Sequence, residues 1–113
     1  MNNCSLKVIR SIEDMTDYYI VFDGVNVGNL DVTEKEDEVF IKHIGIANEY
    51  RRCGYARKVV EYMFYLFKKD ISFCIATHSE SAVKFWNKII EEKNGIHIRG
   101  NIYKLPYKKN EKI

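Results

Sequence analysis

The residues best able to do chemistry in this chain are Arg51-Arg52-Cys53-Gly54-Tyr55-Ala56, a short basic stretch around a glycine. An apolar run precedes it and helical periodicity follows, so it reads as a strand-to-helix turn. The first four N–H groups of a helix lack internal partners, and the aligned peptide dipoles place about half a positive charge there. Such an end holds an anion, and phosphate fits it well. Gly54 lets the backbone come close or take positive φ, Ala56 keeps the first turn open, and the two arginines can add charge-assisted hydrogen bonds. An ordinary turn with solvated arginines accounts for the hexapeptide equally well. Other reactive types are scattered. Cys4, Cys53 and Cys74 are odd in number and widely spaced, which fits neither a disulfide framework nor a CxxC metal pair. His43, His78 and His97 are dispersed too, so no metal site is expected.

The elements that must position the turn follow from hydrophobic period. Leu6, Val8, Ile9 and Ile12 open a first strand, and Tyr18 to Phe22 forms a second that stops at Asp23-Gly24, a hairpin signal. The third runs through Val25 and Val27, then shifts phase to Leu30 and Val32, which predicts a bulge beside Gly28-Asn29. After a charged turn over Glu34 to Glu38, the longest strand runs from Glu38 to Ala47; apolar residues on both its faces make it central. Ala56, Val59, Val60, Met63, Phe64 and Phe67 form one helical stripe, closed by Lys68-Lys69-Asp70. Ile71 to Ala76 is a further strand. Ser79 is placed to cap a second helix bearing Ala82, Phe85, Trp86 and Ile89, which Asn94-Gly95 ends. Ile96-His97-Ile98 and Ile102 to Leu105 pair as a last hairpin, Pro106 ends the sheet edge, and the tail from Tyr107 to Ile113 is expected to fray. The order β-β-β-β-α-β-α-β-β predicts an α/β domain: a mixed, mostly antiparallel central sheet with about two packed helices.

At 113 residues the chain is expected to be one domain over 1–113. An apolar fraction of 46% with 30% charged residues is that of a globular protein, and a net charge of +2 is too small to argue for a polyanion partner. No run of eighteen apolar residues exists and the N-terminus lacks the basic-then-apolar order of a secretory signal, so a cytoplasmic protein with no membrane partner is expected.

Strand, basic glycine turn, helix, strand, then a polar-capped helix with an aromatic pair resembles the GNAT superfamily of acyl-CoA-dependent N-acyltransferases. The family's acyl-CoA motif, Gln/Arg-x-x-Gly-x-Gly/Ala, is matched at every defined position by Arg51-Arg52-Cys53-Gly54-Tyr55-Ala56. Ile44-Gly45-Ile46-Ala47-Asn48-Glu49-Tyr50-Arg51 is similar to its upstream strand end, with Asn48 in the proline place. Ser79-Glu80-Ser81-Ala82-Val83-Lys84-Phe85-Trp86 resembles the second motif, Asn-x-x-Ala-x-x-Phe-Tyr. The resemblance covers about residues 17 to 106. It departs from the family in three places. The two helices usual between the first and second strands have no room, which makes this a minimal member. Trp86 stands where many members have a tyrosine that protonates the departing thiolate, and an indole cannot do that. The stretch from Trp86 to Gly95 is longer than usual.

The resemblance implies acetyl-CoA as co-substrate and an amine acceptor, a small molecule or a protein amine, attacking it directly in a ternary complex. It assigns the CoA pyrophosphate to the amides of Arg52, Cys53, Gly54, Tyr55 and Ala56, with Arg51, Arg52 or Arg57 near the phosphates. Ile44 and Ile46 would pair with the pantetheine arm and polarise the thioester, and Ser79 and Trp86 complete the cofactor set, Ser79 serving equally as a plain cap. A lysine acceptor is neutral in only about one molecule in 2,500 at pH 7, a cost of roughly 4.6 kcal/mol, against about 1 kcal/mol for an α-amino group. Glu38 and His43 are the candidate bases, with turn and surface roles as their plain alternatives; Glu49 lies close to the motif. Tyr50, Tyr55, Cys74 and solvent compete to protonate the thiolate, Cys74 being by default a small buried strand residue. The alternative function is a catalytically degenerate CoA-binding or interaction module. A nucleic-acid binder using Arg51, Arg52, Arg57, Lys58 and the lysine-rich tail is disfavoured by the near-neutral charge. Exposed edges, with Tyr62 and Tyr65 off the main stripe, could support a homodimer.

Overall fold

A computed structural model describes residues 3–108. The strands are β1 (Cys4–Ile12), β2 (Met15–Phe22), β3 (Val25–Glu34), β4 (Glu38–Ile46), β5 (Asp70–Cys74), β6 (Ile96–Arg99) and β7 (Ile102–Leu105). The helices are α1 (Tyr55–Phe67) and α2 (Glu80–Lys93), and a short 3-10 turn covers Asn48–Tyr50. The strands form one seven-stranded sheet in the order β1-β2-β3-β4-β5-β7-β6. β4 is its middle member, as its two apolar faces predict. Every pairing is antiparallel except β4 with β5, where α1 makes the crossover.

Two hairpins open the chain. The first differs from expectation: β2 begins at Met15, and a two-residue turn with Glu13 at φ 57° joins it to β1. The second is the Asp23-Gly24 turn, both residues at positive φ (52° and 83°), which suits the twist of the flanking strands. The expected bulge beside Gly28 is present. Ile20 pairs with Gly28 but Val21 with Asn26, so Val27 is the extra residue. A second irregularity, absent from the sequence reading, falls in β4: Asp31 pairs with His43 and Val32 with Ile41, so Lys42 is bulged out.

Both helices lie on one face of the sheet. Tyr18 on β2 meets Phe67 of α1 edge to face, Phe22 stacks on Tyr55, and Phe73 of β5 stacks on Trp86 of α2 at 3.9 Å between ring centroids. Between the layers sit Ile20, Leu30, Val39, Val59, Val60, Met63, Ile71 and Leu105, all fully buried. No described helix covers the opposite face, which carries Tyr19, His43 and Cys74 exposed to solvent. No described helix is long and apolar enough to cross a membrane. Of the expected frayed tail, Tyr107 is tied down, its N–H donating to Asp70 Oδ1 at 2.7 Å; residues 109–113 lie outside the described residues.

Candidate active site

β4 and β5 part company at the centre of the sheet. Their pairing runs from Glu38 opposite Asp70 to Ile41 opposite Phe73, and β4 then continues for five more residues beside β3 alone. The Lys42 bulge turns the strand at that point. Ala47 N–H donates to Val27 O on the β3 side. By strand alternation the backbone groups of Ile44 and Ile46 therefore face the other way, into the gap left by β5.

That gap opens into a cavity of about 850 Å³ on the helix face, lined by Ile44, Gly45 and Ile46 on β4, Tyr50 to Arg57 apart from Cys53, and Ser79, Ser81, Ala82, Phe85 and Trp86 of the second helix. The volume is in the range of small-molecule sites. Its floor includes the first turn of α1. Arg52 (φ 65°) and Gly54 (φ 77°) both take the left-handed conformation there, which brings the chain sharply from the 3-10 turn into the helix. No side chain caps this end. The first intrahelical bond is donated by Lys58 N–H to Gly54 O, which leaves the N–H groups of Tyr55, Ala56 and Arg57 to the cavity. At α2 the corresponding need is met within the protein, since Ser79 Oγ accepts from Ala82 N–H at 3.3 Å.

The three arginines of the turn have different partners. Arg51 Nε donates to Ile46 O at 3.0 Å, closing one of the β4 carbonyls that face the gap. Arg57 is drawn to α2 by Glu92 at 2.9 Å and to Glu61 at 3.7 Å. Arg52 is exposed and has no ion-pair partner among the described residues.

Nine of the ten residues that the sequence nominated for a cofactor meet at this one cavity: Ile44, Ile46, Arg51, Arg52, Gly54, Tyr55, Ala56, Ser79 and Trp86. Cys53 does not line the cavity, and its thiol lies 3.7 Å from Arg51 O. The nominated catalytic groups are not brought together. Glu38 stands at the opposite end of β4, roughly 20 Å from Ile44 at about 3.3 Å per residue. It is held there by Lys104 at 3.1 Å and Lys35 at 3.9 Å. The Glu38 carboxylate raises the pKa of Lys104. Cys74 ends β5 on the helix-free face, exposed where a buried residue was expected. His43 is exposed on the same face of β4. Its Nε2 lies 2.9 Å from where a Cβ would project at Gly45, so the imidazole rests against Gly45 and the cavity lies on the other side of that backbone. Tyr50, a candidate to protonate the thiolate, lines the cavity, as do Asn48 and Ser81, to which the sequence reading gave no site role.

The model of the acetyltransferase (GNAT) family matches residues 6–90. Among solved structures, the chain resembles a protein assigned to GNAT-family acetyltransferases from Bacteroides thetaiotaomicron (TM-score 0.66, 18% identity), with 89% of this chain covering 57% of that one. It resembles the ribosomal-protein-S18-alanine N-acetyltransferase of Escherichia coli with the same TM-score and 13% identity, each chain covered in full. A GNAT-family acetyltransferase from Elizabethkingia anophelis, solved with acetyl-CoA bound, aligns at TM-score 0.55 and 12% identity over 82% of this chain and 76% of that one. At these identities the likeness is one of fold. No curated protein matches in sequence.

Proposed function

The chain belongs to the acetyltransferase (GNAT) family, and from that premise we propose that it moves an acetyl group from acetyl-CoA to a primary amine by direct attack within a ternary complex. Residues 1–113 act as one transferase domain. The observation that carries the proposal is the single cavity where the uncapped first turn of α1 and the free edge of β4 meet. The turn suits a pyrophosphate, and the strand edge suits the amide-bearing pantetheine arm.

In this reading the N–H groups of Tyr55, Ala56 and Arg57 receive the pyrophosphate, with the Arg52 guanidinium beside it. Arg51 acts through the backbone, holding Ile46 O and so fixing the strand end against which the arm lies. The N–H of Ile44 or Ile46 polarises the thioester carbonyl. Ser79 is a cap with its hydroxyl at the rim, and Trp86 is a wall, buried against Phe73. The amine nitrogen forms a bond to the carbonyl carbon, the C–S bond breaks, and sulfur leaves as thiolate with the electron pair. One proton of the attacking ammonium is lost to solvent before attack and a second ends on sulfur. An acceptor with the low pKa of an α-amino group lowers the cost of that first loss to about 1 kcal/mol.

Thermal shift and thiol release test this in two steps. Acetyl-CoA at a hundredfold excess over Kd should stabilise the fold by about 2.7 kcal/mol; no stabilisation rejects the site. A panel of amines and peptide N-termini should then release CoA thiol. Stabilisation without release in any member of the panel favours the degenerate CoA-binding module, a reading supported by Trp86 standing at the tyrosine's place in the core.

A further inference from the structure

Trp86 closes the inner end of the cavity. Its ring stacks on Phe73 at 3.9 Å between centroids and meets Phe85 edge to face, and Phe73 belongs to the last residue pair that joins β5 to β4, opposite Ile41. At the outer end, Arg51 holds Ile46 O beside the first turn of α1. The stretch of β4 between these ends spans roughly 15 Å at about 3.3 Å per residue. A pantetheine arm entering from the turn along β4 carries its sulfur toward Trp86.

Trp86 is 5% exposed, and an indole N–H held inside a protein ordinarily finds an acceptor. This one meets none among the described residues, yet it is not an enclosed orphan, a state that among the described residues belongs to Ser72 Oγ alone. The N–H thus opens into the cavity that Trp86 lines. No Asp, Glu or His is part of the cavity wall, and β4 contributes no titratable group to it. The titratable and charged groups that do line it are Tyr50, Tyr55 and the arginines at 51, 52 and 57, all from the turn and the start of α1. Tyr55 stacks on Phe22 at 4.2 Å with Tyr50 near it, and Tyr103 of β7 packs beside Phe73.

We propose that Trp86 is a catalytic hydrogen-bond donor: its Nε1–H meets the sulfur of CoA and holds it as a thiolate while the C–S bond breaks. This rests on the acetyl-transfer reading above and adds to it the fate of the leaving group. A neutral sulfur is a weak acceptor and a thiolate a strong one, so the contact strengthens as charge develops. The indole donates but keeps its proton. When the amine nitrogen bonds to the carbonyl carbon and the C–S bond breaks, the electron pair stays on sulfur beside Nε1–H. The second proton of the amine passes to water, and the released thiolate takes one from water.

The test does not depend on turnover. The affinities of wild type and Trp86→Phe for CoA and for desulfo-CoA, which lacks the sulfur, are compared by calorimetric titration from about pH 6 to pH 10, an interval that spans thiol ionisation near about 8.5. In wild type the preference for CoA over desulfo-CoA should grow about 10-fold across the interval; in Trp86→Phe, which keeps an aromatic ring against Phe73, it should stay level. A general loss of packing would lower both affinities together and leave their ratio alone. The chain has a single tryptophan, so in the unaltered protein its emission should change with thiol ionisation in the CoA complex and not in the desulfo-CoA complex. With an accepted amine, Trp86→Phe should lower kcat about 10-fold at unchanged KM for acetyl-CoA. A level preference in wild type overturns the proposal, as does a growing preference retained in Trp86→Phe. A preference that grows in wild type and is lost in Trp86→Phe sustains the thiolate contact, and with it a failure to acetylate any amine rejects the transfer reading alone. A wild-type protein that binds neither ligand overturns both.

Discussion

Arg51, Arg52 and Arg57 are chemically alike and lie within seven residues, yet their partners divide their roles. Arg57 ties α1 to α2 through Glu92, while Arg52 keeps its charge uncommitted beside the open helix end. Arg52→Ala should therefore weaken acetyl-CoA binding by about 10- to 100-fold, the loss of one charge-assisted hydrogen bond, without moving the melting temperature of the free protein. Arg57→Ala should do the reverse: a stability loss of about 0.5 kcal/mol, as for a partly exposed ion pair, with affinity held. Isothermal titration beside thermal melts reads both. A stability effect of opposite origin is expected at Asp31. Its raised pKa means that near neutral pH its ionised carboxylate is less favourable in the fold than in the unfolded chain. Stability attributable to it is present below the ordinary carboxylate range and lost as pH rises through its folded value. Asp31→Asn should thus raise stability at pH 7, by about 0.5 kcal/mol after screening, as read by urea midpoints.

At the scale of elements, the approach of β3 to β4 sets the shape of the site. A Cβ on Gly28 would overlap the carbonyl oxygen of Gly45, which is backbone and cannot swing away. Gly28→Ala should cost about 2 kcal/mol or more in denaturant unfolding and should displace the strand end that lines the cavity. The helices were legible in the sequence because their apolar stripes keep a 3.6-residue period and Ser79 and Asn94 mark the ends of α2; both ends are as expected. The order of elements along the chain was legible from the switch between periods of two and 3.6, and nine residues that line the cavity followed from two motifs on named elements. What was hidden has physical causes. The first hairpin turns on Glu13-Asp14, which carries no glycine although Glu13 takes positive φ. The Lys42 bulge leaves no phase signal in a strand that is apolar on both faces. The bond from Arg51 goes to a backbone carbonyl, and no residue type announces that acceptor. Glu38 was nominated as a base because a carboxylate on the central strand can be one, and only three-dimensional position shows that it faces two lysines at the far end.

The described residues form a two-layer structure, with both helices on the cavity side of the sheet and the paired Arg10, Asp17, Asp31 and His43 on the other. The cavity and these residues are therefore separated by the thickness of β4. The molecule also carries an alkaline signature at its edge strand. Burial pushes the Cys4 thiol from its ordinary value of 9.0 up to about 11. Because the fold favours the protonated thiol, its contribution is complete below pH 9.0 and is lost as pH rises through about 11. The stability of wild type should fall more steeply over that interval than that of Cys4→Ala, as followed by urea midpoints. The central claim is that the first turn of α1 holds the CoA pyrophosphate, and Ala56→Glu tests it most directly by calorimetric titration with acetyl-CoA. A carboxylate in the first turn favours the helix by about 0.3–1 kcal/mol, so the variant should fold at least as well as wild type. It also puts an anion where the pyrophosphate must sit, so its affinity for acetyl-CoA should fall at least about 100-fold, roughly 2.7 kcal/mol. A folded Ala56→Glu protein that binds acetyl-CoA as wild type does would contradict the account.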